Sequence, residues 1–281
     1  MARWPVAIAL VIVAASLGAE PQGTNPPAFL VLKTGERDAT QKKAGKFIAE
    51  LGKYLAPALR LGSLEGLITN KPEEALALAE RRHPLFGIVT PGFFLEHEEK
   101  LGLVAVAETR RLGQEGESYS LLGRKGSPAP GAGAAVATSL LGERRYLEQV
   151  VLPRMDRKFA AGHEFEPAKN LADAVYDLIE GGAGAPAAVL VDRATLVFFR
   201  EDPQVWPKLE VLSSTGALPA DLVVVFGGAS AGDRPARLWG SLEKMLGDEE
   251  GRKICKSLQT EGFAKVEGAR LEQARALYRA Q

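Results

Sequence analysis

Short apolar runs alternate with amphipathic helical patterns along nearly the whole chain, and this alternation constrains the fold more than any other feature. Phe29-Leu30-Val31-Leu32 precedes apolar residues at helical spacing from Phe47 to Leu55. The alternation recurs at Phe86-Gly87-Ile88-Val89, before Pro91, and again at 187–191. Strands that alternate with helices form βαβ units around a mainly parallel sheet. The pattern therefore predicts an α/β chain.

The first residues have the order of a secretory signal peptide. Arg3 precedes an apolar run over 6–13, which small residues follow up to Ala19. The run is shorter than the roughly 20 residues of a membrane-spanning helix. We therefore predict a signal peptide over 1–19, cleaved near Ala19, and export to the periplasm. An uncleaved amphipathic or anchoring helix is the alternative. No cysteine stands directly after the run, so lipid anchoring through an N-terminal cysteine is not expected.

Charge and cysteine content exclude several classes of function. Lys plus Arg and Asp plus Glu number 35 each, so the formal net charge is zero. A neutral chain lacks the general attraction to nucleic acid that a basic one has. Cys255 is the sole cysteine, and three histidines offer little material for a transition-metal site. We expect no nucleic-acid partner, no disulfide and no metal.

A turn-rich stretch over 126–133 divides the chain into two parts. It contains three glycines and two prolines, a composition typical of a boundary between lobes. The length of 281 residues suits two lobes of ordinary size. We predict that residues 25–122 form the first part of lobe 1, 123–212 form lobe 2, and 213–281 return to lobe 1 with three C-terminal helices.

One segment matches a catalytic motif. Gly228-Ala229-Ser230-Ala231-Gly232 has the G-x-S-x-G spacing of a hydrolase nucleophile and follows a predicted strand. In hydrolases with this motif the catalytic histidine follows the serine along the chain. The last histidine in this sequence is His163, which precedes Ser230. A surface turn is therefore the favoured interpretation. A serine hydrolase that uses Ser230 remains an alternative.

Several short segments, by their order and spacing, resemble the phosphate-, phosphite- and phosphonate-binding proteins of ABC importers. The resemblance extends over most of residues 28–265. The segments that carry it are Leu51-Gly52-Lys53-Tyr54-Leu55, Phe86 to Pro91, Ser118 to Ser127, Val136-Ala137-Thr138-Ser139, Ala187 to Asp192, Leu212 to Pro219, and Met245 to Gly251 with Gly262-Phe263.

The resemblance implies a two-lobed type 2 periplasmic-binding fold with two crossing strands. It also implies an exported solute-binding protein without enzymatic activity and without a cofactor. Such a protein closes around a small anionic solute (phosphate, phosphite or a phosphonate) and delivers it to an ABC permease in the inner membrane, and we expect a monomer. The alternative within the same fold is a sensory or accessory envelope protein with a degenerate pocket.

The resemblance also points to candidate ligand residues. Helix N-termini supply N–H donors and partial positive charge for an oxyanion. Thr90 begins one predicted helix, and Thr138 with Ser139 begins another that extends to about residue 151. The predicted ligand-binding residues are Lys33, Thr34, Thr90, Tyr119, Thr138, Ser139 and Asp192. The hydroxyls are also ordinary helix caps. Asp192 would favour an amino group or a protonated oxyanion and would repel a dianion.

Overall fold

The computed structural model describes residues 26–33, 41–156 and 163–280. Two β-sheets, each with its own helices, form two lobes, as the sequence predicts. The predicted signal peptide and Thr34 lie outside the described residues. Within them, no helix combines the length and the apolar character that crossing a membrane requires.

The first lobe is built on a six-stranded sheet. Its strands are β1 (Ala28–Leu32), β2 (Glu65–Thr69), β3 (Phe86–Val89), β4 (Val104–Thr109), β10 (Leu222–Val225) and β11 (Phe263–Lys265). Their spatial order is β11-β4-β10-β3-β1-β2. Strand β1 is parallel to β2 and β3, whereas β10 returns antiparallel between β3 and β4. The sheet is thus mainly parallel where the βαβ pattern is clearest.

The second lobe is built on a five-stranded sheet in the order β7-β6-β8-β5-β9. Its strands are β5 (Tyr119–Arg124), β6 (Ala135–Thr138), β7 (Glu164–Pro167), β8 (Ala188–Asp192) and β9 (Leu209–Ser214). Strand β6 is parallel to β7 and β8, and β5 is antiparallel to β8 and β9.

Both faces of each sheet are covered by helices. The longer helices are α1 (Gln41–Ala58), α2 (Pro72–Arg82), α3 (Pro91–Leu101), α4 (Leu171–Glu180), α5 (Arg193–Arg200), α6 (Arg234–Lys244), α7 (Glu249–Ser257) and α8 (Gly268–Arg279). In β1, Phe29 and Val31 pack toward α1, α6 and α7, whereas Leu30 and Leu32 pack toward α2, α3 and α8. Because successive strand residues face opposite sides, a strand covered on both faces is apolar throughout.

The helix predicted to begin at Ser139 is a series of irregular turns. A 3-10 turn over Leu140–Glu143 leads into a single α-turn, then a π-turn over Leu147–Val151. The backbone of Glu143 (φ −129°, ψ 50°) has left the helical region. This break separates Leu140–Glu143 from the turns that follow, and it lets Glu143 reach the other lobe.

Two chain segments cross between the lobes. Residues 110–118 lead into β5, and residues 215–221 lead from β9 back to β10. Glu117 and Leu218 exchange two backbone hydrogen bonds, each 2.8 Å long. The crossing segments therefore pair with each other as a narrow antiparallel hinge. Helix α8 also spans the lobes, since Leu271 packs in the first and Tyr278 in the second.

Strand β5 refines the expected lobe boundary. Residues up to 122 are expected in lobe 1, but Tyr119–Arg124 is hydrogen-bonded on both edges within the five-stranded sheet. Five of its six residues are buried, as expected of a strand that is paired on both edges. We propose that lobe 2 begins within the first crossing segment, after about residue 110, and ends near 214.

Candidate functional site

A cleft of about 420 Å³ lies between the two lobes. Both lobes and both crossing segments contribute to it, and in open α/β sheets such clefts form beyond the carboxyl ends of the strands. Its charged and polar lining consists of Lys33, Thr90, Thr109, Arg111, Glu117, Tyr119, Ser139, Glu143, Asn170, Asp192, Thr195, Asp221 and Gln259, and the apolar side chains include Leu140 and Phe198.

Five of the seven predicted ligand residues line this cleft: Lys33, Thr90, Tyr119, Ser139 and Asp192. Thr138 does not, because its side chain is buried and its Oγ1 accepts the backbone N–H of Leu140 at 3.2 Å. Thr138 therefore stabilises the turn that presents Ser139. Thr34 lies outside the described residues. The structure brings the five together but does not itself assign them a ligand.

Thr90 is the N-cap of α3. Its Oγ1 accepts the N–H of Phe93 at 3.4 Å, and Pro91 occupies the first helical position. The Thr90 hydroxyl also donates a hydrogen bond to the carboxylate of Glu143, which belongs to the second lobe. Capping and contact across the cleft are thus combined in one side chain.

Asp192 ends β8 and caps α5. Its Oδ1 accepts the N–H of Thr195 at 2.8 Å. Among the described residues no side chain pairs with its other oxygen, Oδ2. Phe198, six residues further along in α5, also faces the cleft and leaves 57% of its surface exposed. A charged acceptor and an aromatic ring therefore line the same wall.

Glu117 in the first crossing segment lies near Asp192. Its Oε1 accepts the N–H groups of Ser118 at 2.8 Å and Arg193 at 3.2 Å. The pKa of Glu117 is raised to about 7, mainly by burial and also by the negative charge of Asp192, while the hydrogen bond from the Ser118 N–H opposes the shift. A cation placed between Glu117 and Asp192 would relieve this repulsion.

Glu143 is the second carboxyl with a strongly shifted pKa. Burial raises its pKa to about 7 despite the opposing hydrogen bond from Thr90, and Asp221 adds to the shift. Asp221 itself forms an ion pair with Arg111 at 3.2 Å. The lining thus carries four carboxyls against Lys33 and Arg111. This balance is unfavourable for a doubly charged anion.

Two further hydroxyls lie at the cleft. Thr109, at the end of β4, is 5% exposed, and within the described residues its Oγ1 has no hydrogen-bond partner. Burial of Tyr119 raises the pKa of its phenol well above the usual range, so the group stays a neutral donor. Buried polar groups are nearly always paired, and an unpaired Thr109 hydroxyl beside the cleft points to a solute or water as its partner.

Sequence reasoning did not identify Thr109, Arg111, Glu117, Glu143, Asp221 and Phe198. The contacts of Glu143 with residue 90 and of Arg111 with residue 221 join distant parts of the chain, so no local spacing indicates them. Glu117 could have been identified from its position in the sequence, because it immediately precedes the predicted crossing segment at 118–127.

Ser230 lies in a 3-10 turn, and it is not among the residues that line the cleft. Its hydroxyl donates to the backbone oxygen of Gly227 at 2.6 Å. The hydrogen that a catalytic base would accept is therefore already directed to a carbonyl. This geometry favours the structural interpretation of the motif.

Solved structures similar to this chain share its two-lobed architecture. XAC2383 from Xanthomonas citri, bound to chloride ion, superposes with a TM-score of 0.69 and 14% identity over 90% of this chain and 97% of that one. PhnD1 from Prochlorococcus marinus, in complex with methylphosphonate, gives a TM-score of 0.62 and 12% identity over 91% of this chain and 98% of its own. The chain has the type 2 periplasmic-binding fold.

A third structure with this fold is a binding-protein component of an ABC phosphonate transporter from Pseudomonas aeruginosa. Its TM-score is 0.61 at 12% identity, over 90% of this chain and 86% of that one. XAC2383 has also been solved bound to ATP. No protein-family model matches the chain. No curated protein matches its sequence. At these identities the likeness establishes the fold.

Proposed function

We propose that this protein is an exported, monomeric solute-binding component of an ABC importer. It captures a small phosphorus oxyanion (phosphate, phosphite or a phosphonate) between its lobes, performs no chemistry and delivers the solute to a permease in the inner membrane. Residues 1–19 direct export to the periplasm. The observation that carries the proposal is the cleft, which hydroxyl-bearing turns at Thr90 and Ser139 border from opposite lobes.

Among these solutes, the charges of the cleft favour a phosphonate that carries an amino group. Glu117 and Asp192 share one wall, and each presents an oxygen for which the described residues supply no partner. An ammonium group between them would receive charge-assisted hydrogen bonds. The acidic group of the same solute would take the donors at Ser139, Tyr119 and Thr109. Inorganic phosphate has no ammonium group and can offer these carboxylates only a P–OH hydrogen.

The solute class can be tested by calorimetry on the protein without its signal peptide. Phosphate, phosphite, methylphosphonate and 2-aminoethylphosphonate form a series that separates the oxyanion from the amine. We expect the aminophosphonate to bind at least about tenfold more tightly than methylphosphonate, which corresponds to about 1.4 kcal/mol. Absence of binding heat from all four compounds would rule out the proposed solutes.

Asp192→Asn tests the ammonium site separately from the fold. Asparagine caps helices as well as aspartate does, so the bond to Thr195 and the stability of α5 are retained. We expect the variant to lose about tenfold or more in affinity for 2-aminoethylphosphonate, with methylphosphonate binding unchanged or tighter. Asp202→Asn is a matched control, because Asp202 caps the turn after α5 by accepting from Gln204 at 2.8 Å and lies outside the cleft lining. An equal loss for both phosphonates would contradict the assignment.

The sensory or accessory role remains a second candidate, and the contact between Thr90 and Glu143 favours it. The Glu143 carboxylate occupies the hydrogen-bond donors of the first lobe as a bound anion would. Such an occupied site is expected in a pocket that no longer binds a solute. Thermal shift distinguishes the two roles, because a solute at 100 times its dissociation constant stabilises a protein by about 2.7 kcal/mol. No shift with any of the four compounds would favour the sensory role.

A further inference from the structure

Glu143 reaches across the cleft to the N-terminus of α3. The residue belongs to the second lobe, yet its carboxylate accepts hydrogen bonds from the Thr90 hydroxyl and the Gly92 N–H of the first lobe. Gly92 permits this approach, because a Cβ at that position would collide with Oε2 of Glu143. The contact therefore depends on a glycine in the first turn of α3.

The donors that Glu143 occupies are those that an oxyanion would use. Helix α3 has 11 residues, and its first turn presents an N–H group, a hydroxyl and a partial positive charge. The described residues give Glu143 no salt bridge, so these donors alone stabilise its charge. A solute oxyanion cannot share them, since two anions at one helix terminus repel each other.

Neighbouring side chains join the same parts of the two lobes. Arg145, two residues further on, lies 3.6 Å from Glu96 of α3 and stacks on the ring of Tyr278 in α8. Tyr278 in turn donates to Glu96. The segment 143–145 of the second lobe thus contacts α3 at its first turn and one turn further along.

We propose that Glu143 is a specificity-determining residue, an internal carboxylate that occupies the oxyanion donors of the first lobe and that a solute oxyanion must displace. The empty protein is consequently closed, and its affinity for simple oxyanions is lowered by the competition. The claim that Glu143 competes with a solute oxyanion rests on the proposed function. The claim that Glu143 keeps the lobes closed does not rest on it.

Glu143→Gln and Glu143→Ala test the inference. Glutamine keeps the size and an acceptor oxygen but removes the charge, and alanine removes the acceptor. We expect small-angle scattering of the solute-free protein to show a larger radius of gyration for Glu143→Ala than for the parent, with Glu143→Gln between them. We expect Glu143→Ala to bind methylphosphonate at least about tenfold more tightly. Glu148→Gln is the matched control, because Glu148 is exposed and pairs with Arg144 at 2.7 Å.

The two readouts separate this inference from the proposed function. Unchanged scattering together with unchanged methylphosphonate affinity in Glu143→Ala would overturn it, even if the parent binds a phosphonate well. Opened variants that bind none of the four compounds would confirm closure by Glu143 and refute the solute class. Circular dichroism that matches the parent shows that either variant is folded.

Discussion

Arg270→Ala is expected to lower the free energy of unfolding by about 3–5 kcal/mol, because it leaves a buried carboxylate without its partner. The side chains of Arg270 in α8 and Glu108 in β4 are 9% and 1% exposed. The other oxygen of Glu108 accepts the N–H of Ala220 in the return crossing at 3.3 Å. The pair therefore joins the last helix, the first sheet and the hinge. Urea unfolding of parent and variant at pH 7 measures the difference.

Arg279→Ala supplies the matched control in the same helix. Arg279 is 59% exposed and pairs with the exposed Glu99 at 2.9 Å, and exposed pairs contribute about 0–1 kcal/mol. A loss below 1 kcal/mol in Arg270→Ala would contradict the importance of the buried pair. Replacing both Glu108 and Arg270 by leucine should recover part of the loss, because no unpaired charge is then buried.

Stability is expected to fall as the pH rises from about 5 to 8. Glu117 and Glu143 each have a pKa raised to about 7 in the folded protein, whereas the ordinary pKa of a glutamate side chain is 4.5. Between these values the folded state binds more protons than the unfolded state, so the stabilising contribution is complete below about 4.5 and is lost as the pH rises through 7. We expect a loss of roughly 2–3 kcal/mol for each group, since both border a cleft that is open on one side.

The double variant Glu117→Gln with Glu143→Gln tests this dependence. Its unfolding free energy, measured in urea at pH 5.5 and pH 8, should change much less than that of the parent. Some slope will remain, because burial also raises the pKa of Glu108. A parent protein that gains stability between pH 5.5 and 8 would contradict the assigned direction.

The fold was largely predictable because its signals are local. Strand β3 and the Thr90-Pro91 start of α3 appear as an apolar run followed by a cap and a proline, and each consists of consecutive residues. The turn after Thr138 was less predictable. Its irregularity coincides with Glu143, whose side-chain partners lie some 50 residues earlier in the chain.

The predicted ligand residues divide in the same way. Thr90, Ser139 and Asp192 line the cleft, and each stands where a strand ends and a helical turn begins. Thr138 has the same pattern, yet its hydroxyl turns to the backbone of Leu140. The direction of a side chain at such a junction depends on neighbours that the local sequence does not specify.

By itself the sequence determined the alternation of strands and helices and the turn-rich boundary between two parts of the chain, since apolar periodicity, helix caps and turn residues act over a few residues. The crossing segments were expected from the family resemblance. Only the tertiary structure decided the charge of the cleft. Carboxyls from the crossing segments and from the second lobe gather around one space there, and burial raises the pKa of Glu117 and Glu143. Electrostatic interactions depend on distance in space and on exclusion of water, and neither quantity is encoded by position along the chain.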